Sequence, residues 1–107
     1  MREIDVKNIT ETVAKLCINA NRHLPQDVRC AIKNCRECED GEIAKKVLDN
    51  IIENFEIADS ENVPICQDTG LAVVYMNIGQ EVHFVGGDLY SAVNDGIAEG
   101  YVKGYLR

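Results

Sequence analysis

The sequence predicts an α+β fold whose N-terminal half is helical and whose second half forms a β-hairpin followed by a C-terminal helix. Up to Phe55, apolar residues recur at intervals of three and four, which is the spacing of one face of an α-helix. After "ADSENVP" the composition shifts to "LAVVYMNI", a run rich in β-branched and aromatic residues that is typical of a strand. A chain of 107 residues is long enough for one small domain with a modest core.

Three amphipathic helices are predicted in the helical half. The first begins near Asp5 and extends to about Ala20. The second begins at "HLPQDV", because proline is favoured in a first helical turn and Asp27 there interacts well with the helix dipole. We expect four of its residues to point inward: Val28, Ala31, Ile32 and Cys35. The third begins near "EDGEIA", and its apolar residues have heptad-like spacing: Ala44, Val47, Leu48, Ile51, Ile52 and Phe55.

The second half is predicted to contain a β-hairpin and one more helix. "LAVVYMNI" and "EVHFVGG" form the two strands, and "GQ" between them offers the turn. Asp88 is suited to cap the last helix, along which Gly96, Gly100 and Gly104 recur every four residues. Because each glycine disfavours a helix by about 1 kcal/mol, we expect these glycines to allow close packing against another backbone. The helical pattern continues into the final "GYVKGYLR", so we expect a truncated portion of a larger domain.

Charge and composition exclude several classes of partner. Eleven Lys and Arg residues stand against eighteen Asp and Glu residues, a formal charge of −7. This balance disfavours binding to nucleic acid or to an anionic membrane surface, both of which require clustered cations. Charged residues occupy the N-terminal stretch where a signal peptide would be apolar, and no apolar run is long enough to span a membrane. We therefore expect a cytoplasmic protein whose five cysteines are thiols or metal ligands and not disulfides.

The stretch "NVPICQDTGLAVVY" concentrates reactive side chains in a short loop. Pro64 favours an extended backbone before the loop, and Gly70 permits a positive φ after it. Between them stand a cysteine, an amide, a carboxylate and a hydroxyl: Cys66, Gln67, Asp68 and Thr69. Backbone amides around a cysteine sulfur favour the thiolate and metal binding, whereas the carboxylate could transfer a proton or anchor the loop in an Asx turn. The alternative is a buried cysteine followed by an ordinary turn.

From about Leu24 to Arg107, the sequence resembles the N-terminal part of the iron–sulfur class I fumarate hydratases and the related L-tartrate dehydratases. The strings that carry the resemblance are "LPQDV", "AKKVLDNIIENFEIA", "VPICQDTG" and "GDLYSAVNDGIAEGYVKGYLR". The resemblance implies a hydro-lyase that reversibly hydrates fumarate to malate or dehydrates a related acid such as tartrate. It also implies that residues 1–107 are the N-terminal portion of an alpha-subunit catalytic domain, a fragment of a larger α/β domain.

The resemblance further implies a [4Fe–4S] cluster that is held by three cysteines and whose open iron acts as a Lewis acid. Cys66 matches one ligand, and the other two lie outside this chain. Gln67 and Asp68 match residues of the dicarboxylate site, with Asp68 as a candidate catalytic group. Arg107 matches an arginine that binds a substrate carboxylate, a task suited to a bidentate guanidinium. The implied partners are a beta subunit or domain and further copies of the chain, and the chain alone is expected to be inactive.

Two other function classes stay open at this point. Cys30, Cys35 and Cys38 have the C-x4-C-x2-C spacing of a plant-type [2Fe–2S] ferredoxin, which would suit a small electron carrier. On a helix, however, these thiols would spread around the cylinder instead of converging. The other class is a non-catalytic helical interaction domain. His23 and His83 lack partners at metal-ligand spacing and are predicted to be exposed.

Overall fold

The computed structural model describes residues 1–107 and confirms the α+β class. Six elements follow one another along the chain: β1 (Arg2–Asp5), α1 (Val6–Arg22), α2 (Gln26–Cys38), α3 (Glu42–Glu61), β2 (Val82–Val85) and α4 (Leu89–Lys103). All four predicted helices are present. None of them combines the length and the apolar composition that crossing a bilayer requires.

The predicted β-hairpin is wrong, because β2 pairs with β1 and not with residues 71–78. The two strands run parallel, with Arg2 opposite Val82 and Asp5 opposite Val85. The N–H of Arg2 also donates to the carbonyl of Glu81 (2.7 Å). β1 is only four residues long and three of them are charged, so no alternation of apolar and polar residues marks it in the sequence.

Residues 71–78 form no ladder, but they keep the side-chain alternation of a strand. The odd-numbered side chains from Leu71 to Tyr75 are at least 69% exposed. Those of Val74, Met76 and Ile78 are 39–48% exposed, and they line a cavity of about 330 Å³ beside the first turns of α4. The predicted period is therefore right, and what this segment lacks is a neighbouring strand.

The chain divides into two compact units, Met1–Asn19 with Gln67–Arg107 and Ala20–Cys66. The buried apolar residues of the first unit come from α1, α4 and the residues after α4: Val6, Val13, Ala14, Ala92 and Leu106. Those of the second unit both come from α3: Phe55 and Ala58. Each unit therefore has a small core of its own.

In the first unit, α1 packs against α4 at the glycines that were predicted to allow close contact. A Cβ atom on Gly96 would lie 2.7 Å from the backbone oxygen of Thr10. One on Gly100 would lie 2.8 Å from the backbone oxygen of Ala14. At Gly104, which caps the C-terminal end of α4, the nearest atom of α1 belongs to a side chain. Only a residue without a side chain fits at the first two positions, so the predicted close approach of backbones is confirmed there.

The start of α4 is fixed by the predicted cap. The Asp88 carboxylate accepts a hydrogen bond from the N–H of Ser91 (2.9 Å), which satisfies one of the free donors at the helix N-terminus. One turn into the helix, the Thr10 hydroxyl of α1 donates to the carbonyl of Ala92 (2.8 Å). The first turn of α4 is thus held both by its own cap and by α1.

In the second unit, α2 and α3 are joined by charged side chains. The Arg36 guanidinium donates to both carboxylate oxygens of Asp49 (2.6 and 3.3 Å), and Lys33 Nζ lies 3.1 Å from Glu56. Arg36 follows Lys33 along α2, whereas its partner Asp49 precedes Glu56 along α3, so the two helices run antiparallel.

The inward face predicted for α2 is wrong. No residue of α2 is buried: Val28, Ala31 and Cys35 are exposed, and Ile32 is half-buried. The contact with α3 is made instead by long cationic side chains, including that of Arg29, whose guanidinium carbon lies 5.5 Å from the centre of a buried phenyl ring on α3. A long side chain with a charged tip can cover an apolar neighbour while its tip stays in water, so α2 needs no buried apolar stripe.

Candidate functional site

The backbone immediately before Cys66 is fixed by hydrogen bonds within the second unit. α3 ends at Glu61 and is capped by Asn62, whose φ of 53° lies in the left-handed region that asparagine tolerates. At Ile65, the N–H donates to the carbonyl of Asn21 (2.8 Å), and the carbonyl accepts from the side chain of Asn54 (2.8 Å). Cys66 follows directly and its side chain is exposed. A tightly held residue thus precedes an accessible thiol.

A turn shapes the residues after Cys66, which belong to the first unit. Gly70 has a φ of +63°, as predicted from its place before the apolar run. Its N–H donates to a carboxylate oxygen of Asp68 (3.2 Å), which forms an Asx turn. One of the two roles predicted for Asp68, anchoring of the loop, is therefore observed. Asp68 is exposed, as is Gln67.

Thr69 binds the backbone of Arg107 through three hydrogen bonds. The N–H of Thr69 donates to the backbone oxygen of Arg107 (3.0 Å), and the threonine hydroxyl donates to the same oxygen. The N–H of Arg107 in turn donates to the hydroxyl oxygen of Thr69 (2.6 Å). Nearby, the hydroxyl of Tyr101 in the last turn of α4 donates to the carbonyl of Gly70 (3.2 Å). These bonds hold the residues that follow α4 against the Asx turn.

The structure thus brings Arg107 to the loop that carries Gln67 and Asp68, and leaves all three side chains exposed. Sequence reasoning did not identify the residues that make this link, Thr69 and Tyr101. The signal for Thr69 was its place in the loop, but no local pattern relates it to an arginine that is 38 positions away.

No three His, Cys, Asp or Glu side chains lie close enough together to hold a metal ion. The ferredoxin-like alternative therefore has no site here: its three cysteines all lie on α2, are exposed and do not converge. Cys66 is exposed, so its sulfur is accessible as a single donor. Among the cysteines, Cys17 is the one set apart electrostatically, because burial raises the pKa of its thiol.

The two histidines differ in their surroundings. His83 is exposed, as predicted. His23 is half-buried, which the sequence did not predict, and its Nδ1 lies 2.5 Å from a carboxylate oxygen of Asp59. The other oxygen of that carboxylate lies 3.7 Å from the Arg29 guanidinium. The pair connects the segment between α1 and α2 to the last turns of α3, which is a structural role within the second unit.

Comparison of the sequence with those of known proteins assigns the chain to a family. The family model described as "Fumarate hydratase (Fumerase)" matches residues 10–107. A protein of Methanocaldococcus jannaschii, provisionally named the alpha subunit of an L(+)-tartrate dehydratase, is 40% identical over 75 residues, which are 70% of this chain and 26% of that protein. The L(+)-tartrate dehydratase alpha subunit of Escherichia coli K12 is 28% identical over 102 residues, which are 95% of this chain and 33% of that protein. The chain spans a third or less of these relatives, and it belongs to the fumarate hydratase family.

Proposed function

We propose that this chain is the N-terminal portion of the alpha subunit of a [4Fe–4S]-dependent hydro-lyase. The complete enzyme would reversibly hydrate fumarate to malate, or dehydrate a related 2-hydroxy dicarboxylic acid such as tartrate. The observation that carries the proposal is the hydrogen-bonded link between Thr69 and Arg107, which holds an arginine beside Gln67 and Asp68. The family of the chain and the names of its relatives support the same class of reaction.

Cys66 fits the role of one cluster ligand. Its side chain is exposed, and the backbone N–H and C=O of the preceding residue, Ile65, both form hydrogen bonds. Thiolate sulfur is the donor by which proteins hold iron–sulfur clusters. Because residues 1–107 contain no group of three converging ligands, two further ligands would come from outside them. When bound, the cluster would supply a Lewis-acidic iron that polarises the substrate.

The remaining roles follow from the chemistry of each side chain. Arg107 would bind one carboxylate of the substrate through two parallel N–H donors, the geometry in which guanidinium and carboxylate groups fit best. The Gln67 amide would hydrogen-bond the substrate and fix its orientation. The Asx turn uses one carboxylate oxygen of Asp68, which leaves the other oxygen to hold or move a proton at the substrate hydroxyl.

Exposed apolar surface supports the proposal that residues 1–107 are a portion of a larger domain. Leu71 and Tyr75 are 94 and 92% exposed in a segment that alternates like a strand but has no neighbouring strand.

Because the two relatives are named as alpha subunits, we also propose a beta subunit as the partner of the complete protein. A cytoplasmic location fits this assignment, since exposed cysteines stay reduced there.

Anaerobic iron–sulfur reconstitution of the complete subunit with its partner tests the proposal. Wild type, Cys66→Ser and Cys35→Ser are compared by visible absorbance and by dehydration of malate and of tartrate. We expect Cys66→Ser to lose cluster absorbance and activity together, and Cys35→Ser, the matched control on α2, to keep both. Loss of the cluster in Cys35→Ser with retention in Cys66→Ser would overturn the assignment. The preferred acid in wild type identifies the substrate.

A further inference from the structure

Residues 71–78 form an apolar segment whose backbone has no partner. None of their N–H and C=O groups forms a backbone hydrogen bond within the chain. Both faces of the segment, "LAVVYMNI", are apolar except at Asn77. A strand that is apolar on both faces is normally covered on both sides, within a larger sheet. The segment therefore has the composition of an inner strand but the unpaired backbone of an isolated one.

A cavity of about 500 Å³ lies beside this segment, within the first unit. Three parts of the chain line it: residues 2–4 in β1, residues 74–77, and side chains of α1 that include Ile9 and Leu16. A strand of four residues is about 13 Å long and 4.8 Å wide, and one layer of a sheet is about 10 Å thick, so such a strand fills roughly 600 Å³. The cavity therefore has about the volume of a short strand.

β1 has a free edge that can pair with such a strand. The sheet consists of β1 and β2 alone. The N–H of Arg2 donates to Glu81, which directly precedes β2. Because successive residues of a strand direct their N–H and C=O groups to opposite edges, those of Glu3 point away from β2. Unpaired groups along such an edge are a template for another strand.

We propose that a strand from the part of the subunit that follows residue 107 occupies this cavity and pairs with both β1 and residues 74–77. This inference rests on the proposed function, in which the chain is the N-terminal portion of a longer subunit. The aligned residues make up 26 and 33% of the two relatives, so about two thirds of such a subunit is available to supply the strand.

The depth of the cavity favours the same polypeptide over a partner protein. Val13, which is 4% exposed and belongs to the core of the first unit, lines it. A domain normally completes its hydrophobic core with its own chain. Because Ile9 and Leu16 also line the cavity, the side chains of the inserted strand that face α1 should be apolar.

The inserted strand would also support the candidate site. Residues 71–78 begin directly after Gly70, the last residue of the Asx turn that carries Asp68. The other attachments of this loop are the bonds from Thr69 and Tyr101. Pairing of residues 74–77 would therefore fix the end of the loop that is not held by α4 or Arg107.

Hydrogen–deuterium exchange in the complete subunit, measured by mass spectrometry without its beta-subunit partner, tests the pairing. A strand along one edge protects alternate amides of residues 74–77, so we expect those amides to exchange at least about a hundredfold more slowly than those of Gln80 and Glu81. The two reference residues are exposed, and their N–H groups form no backbone hydrogen bond. Uniformly fast exchange over 74–77 would overturn the proposal, as would protection that appears only when the partner is added.

Photocross-linking identifies the occupant. Tyr75 lines the cavity and is replaced by photoreactive p-benzoylphenylalanine, another aromatic side chain. Side chains on the same face of neighbouring strands lie about 5 Å apart, so we expect the cross-linked peptide to come from beyond residue 107 of the same polypeptide. The same replacement of Ile78 is the matched control, because Ile78 lines the cavity beside α4 and should cross-link to α4. A cross-link from position 75 to a second copy or to the partner would overturn the proposal.

Neither measurement requires a cluster or a substrate, so the two proposals can fail separately. Protected amides and an internal cross-link in a subunit that binds no cluster would refute the proposed function and leave this inference standing. A subunit with cluster and activity, but with neither protection nor the internal cross-link, would refute this inference alone.

Discussion

Replacement of Gly100 by alanine tests the packing of α1 on α4 directly. Its added Cβ would lie 2.8 Å from the backbone oxygen and 3.1 Å from the Cα atom of Ala14, and 3.1 Å from the Cβ of Cys17. Carbon atoms in contact normally lie about 3.5–4.0 Å apart. Two of the three atoms are backbone atoms, so a rotamer change cannot relieve the overlap. The helices must separate by several tenths of an ångström.

Two opposing free energies decide the sign of the effect. Alanine in place of glycine stabilises a helix interior by about 1 kcal/mol. An extra methyl group in a packed interior costs about 1–3 kcal/mol, and the upper end applies here because the displaced atoms belong to the backbone. We therefore expect Gly100→Ala to lower the free energy of unfolding by about 2 kcal/mol.

Urea unfolding followed by circular dichroism measures this change. Asn94→Ala is the matched control, because Asn94 lies on α4 and is exposed. With no neighbour to displace, that variant should gain stability by about 0.5 kcal/mol from helix propensity alone. If Gly100→Ala gained stability as Asn94→Ala is expected to do, α1 and α4 would not be in backbone contact and the reason given for the glycines would be refuted.

Three further predictions concern the cap, the thiols and the link to Arg107. Asp88→Ala should lower the free energy of unfolding by about 1 kcal/mol and Asp88→Asn by much less, because asparagine caps about as well as aspartate; equal losses in the same urea assay would contradict the capping role. Burial raises the pKa of the Cys17 thiol, so a smaller fraction of it is ionised at pH 8 than for an ordinary cysteine. Iodoacetamide should therefore modify the four exposed cysteines first, and the lag of Cys17 should shrink at higher pH. Peptide mass spectrometry measures this order, and modification of Cys17 first would contradict the prediction. In the complete enzyme, Thr69→Val removes two hydrogen bonds worth about 1 kcal/mol each, so KM for the dicarboxylate should rise about tenfold or more while cluster absorbance stays, and Thr69→Ser should restore KM. Unchanged KM in Thr69→Val would remove the positioning role.

Much of the loop could be predicted from the sequence, because its chemistry is local. Gly70 before an apolar run predicts a positive φ, and an aspartate two residues earlier predicts the Asx turn; the structure has both. The helices were predictable for the same reason, since a period of 3.6 residues and a capping aspartate are short-range signals. The stripe of glycines on α4 added one tertiary contact, because few other causes put a glycine at every fourth position of a helix.

The pairing of strands could not be predicted, because the partner is remote and has no pattern of its own. The segment from 71 to 78 has the composition and the alternation of a strand, and it was assigned the neighbour nearest in sequence. β2 instead meets β1, in which Ile4 is the only apolar residue. Nearness in sequence is a reasonable guide to pairing when a tight turn joins two strands, but it fails where distant residues supply the neighbour.

The packing of α1 on α4 and the candidate site depend on each other. Gly96 and Gly100 set the distance of α4 from α1, and Tyr101, the next residue, donates its hydroxyl to the Asx-turn loop. After the helix, Leu106 is 8% exposed and so anchors the chain in the core of the first unit one residue before Arg107. A separation of the two helices would therefore move both attachments of the loop at once. It follows that Gly100→Ala should weaken substrate binding in the complete enzyme as well as stability, whereas Asp88→Ala, at the far end of α4, should affect stability alone.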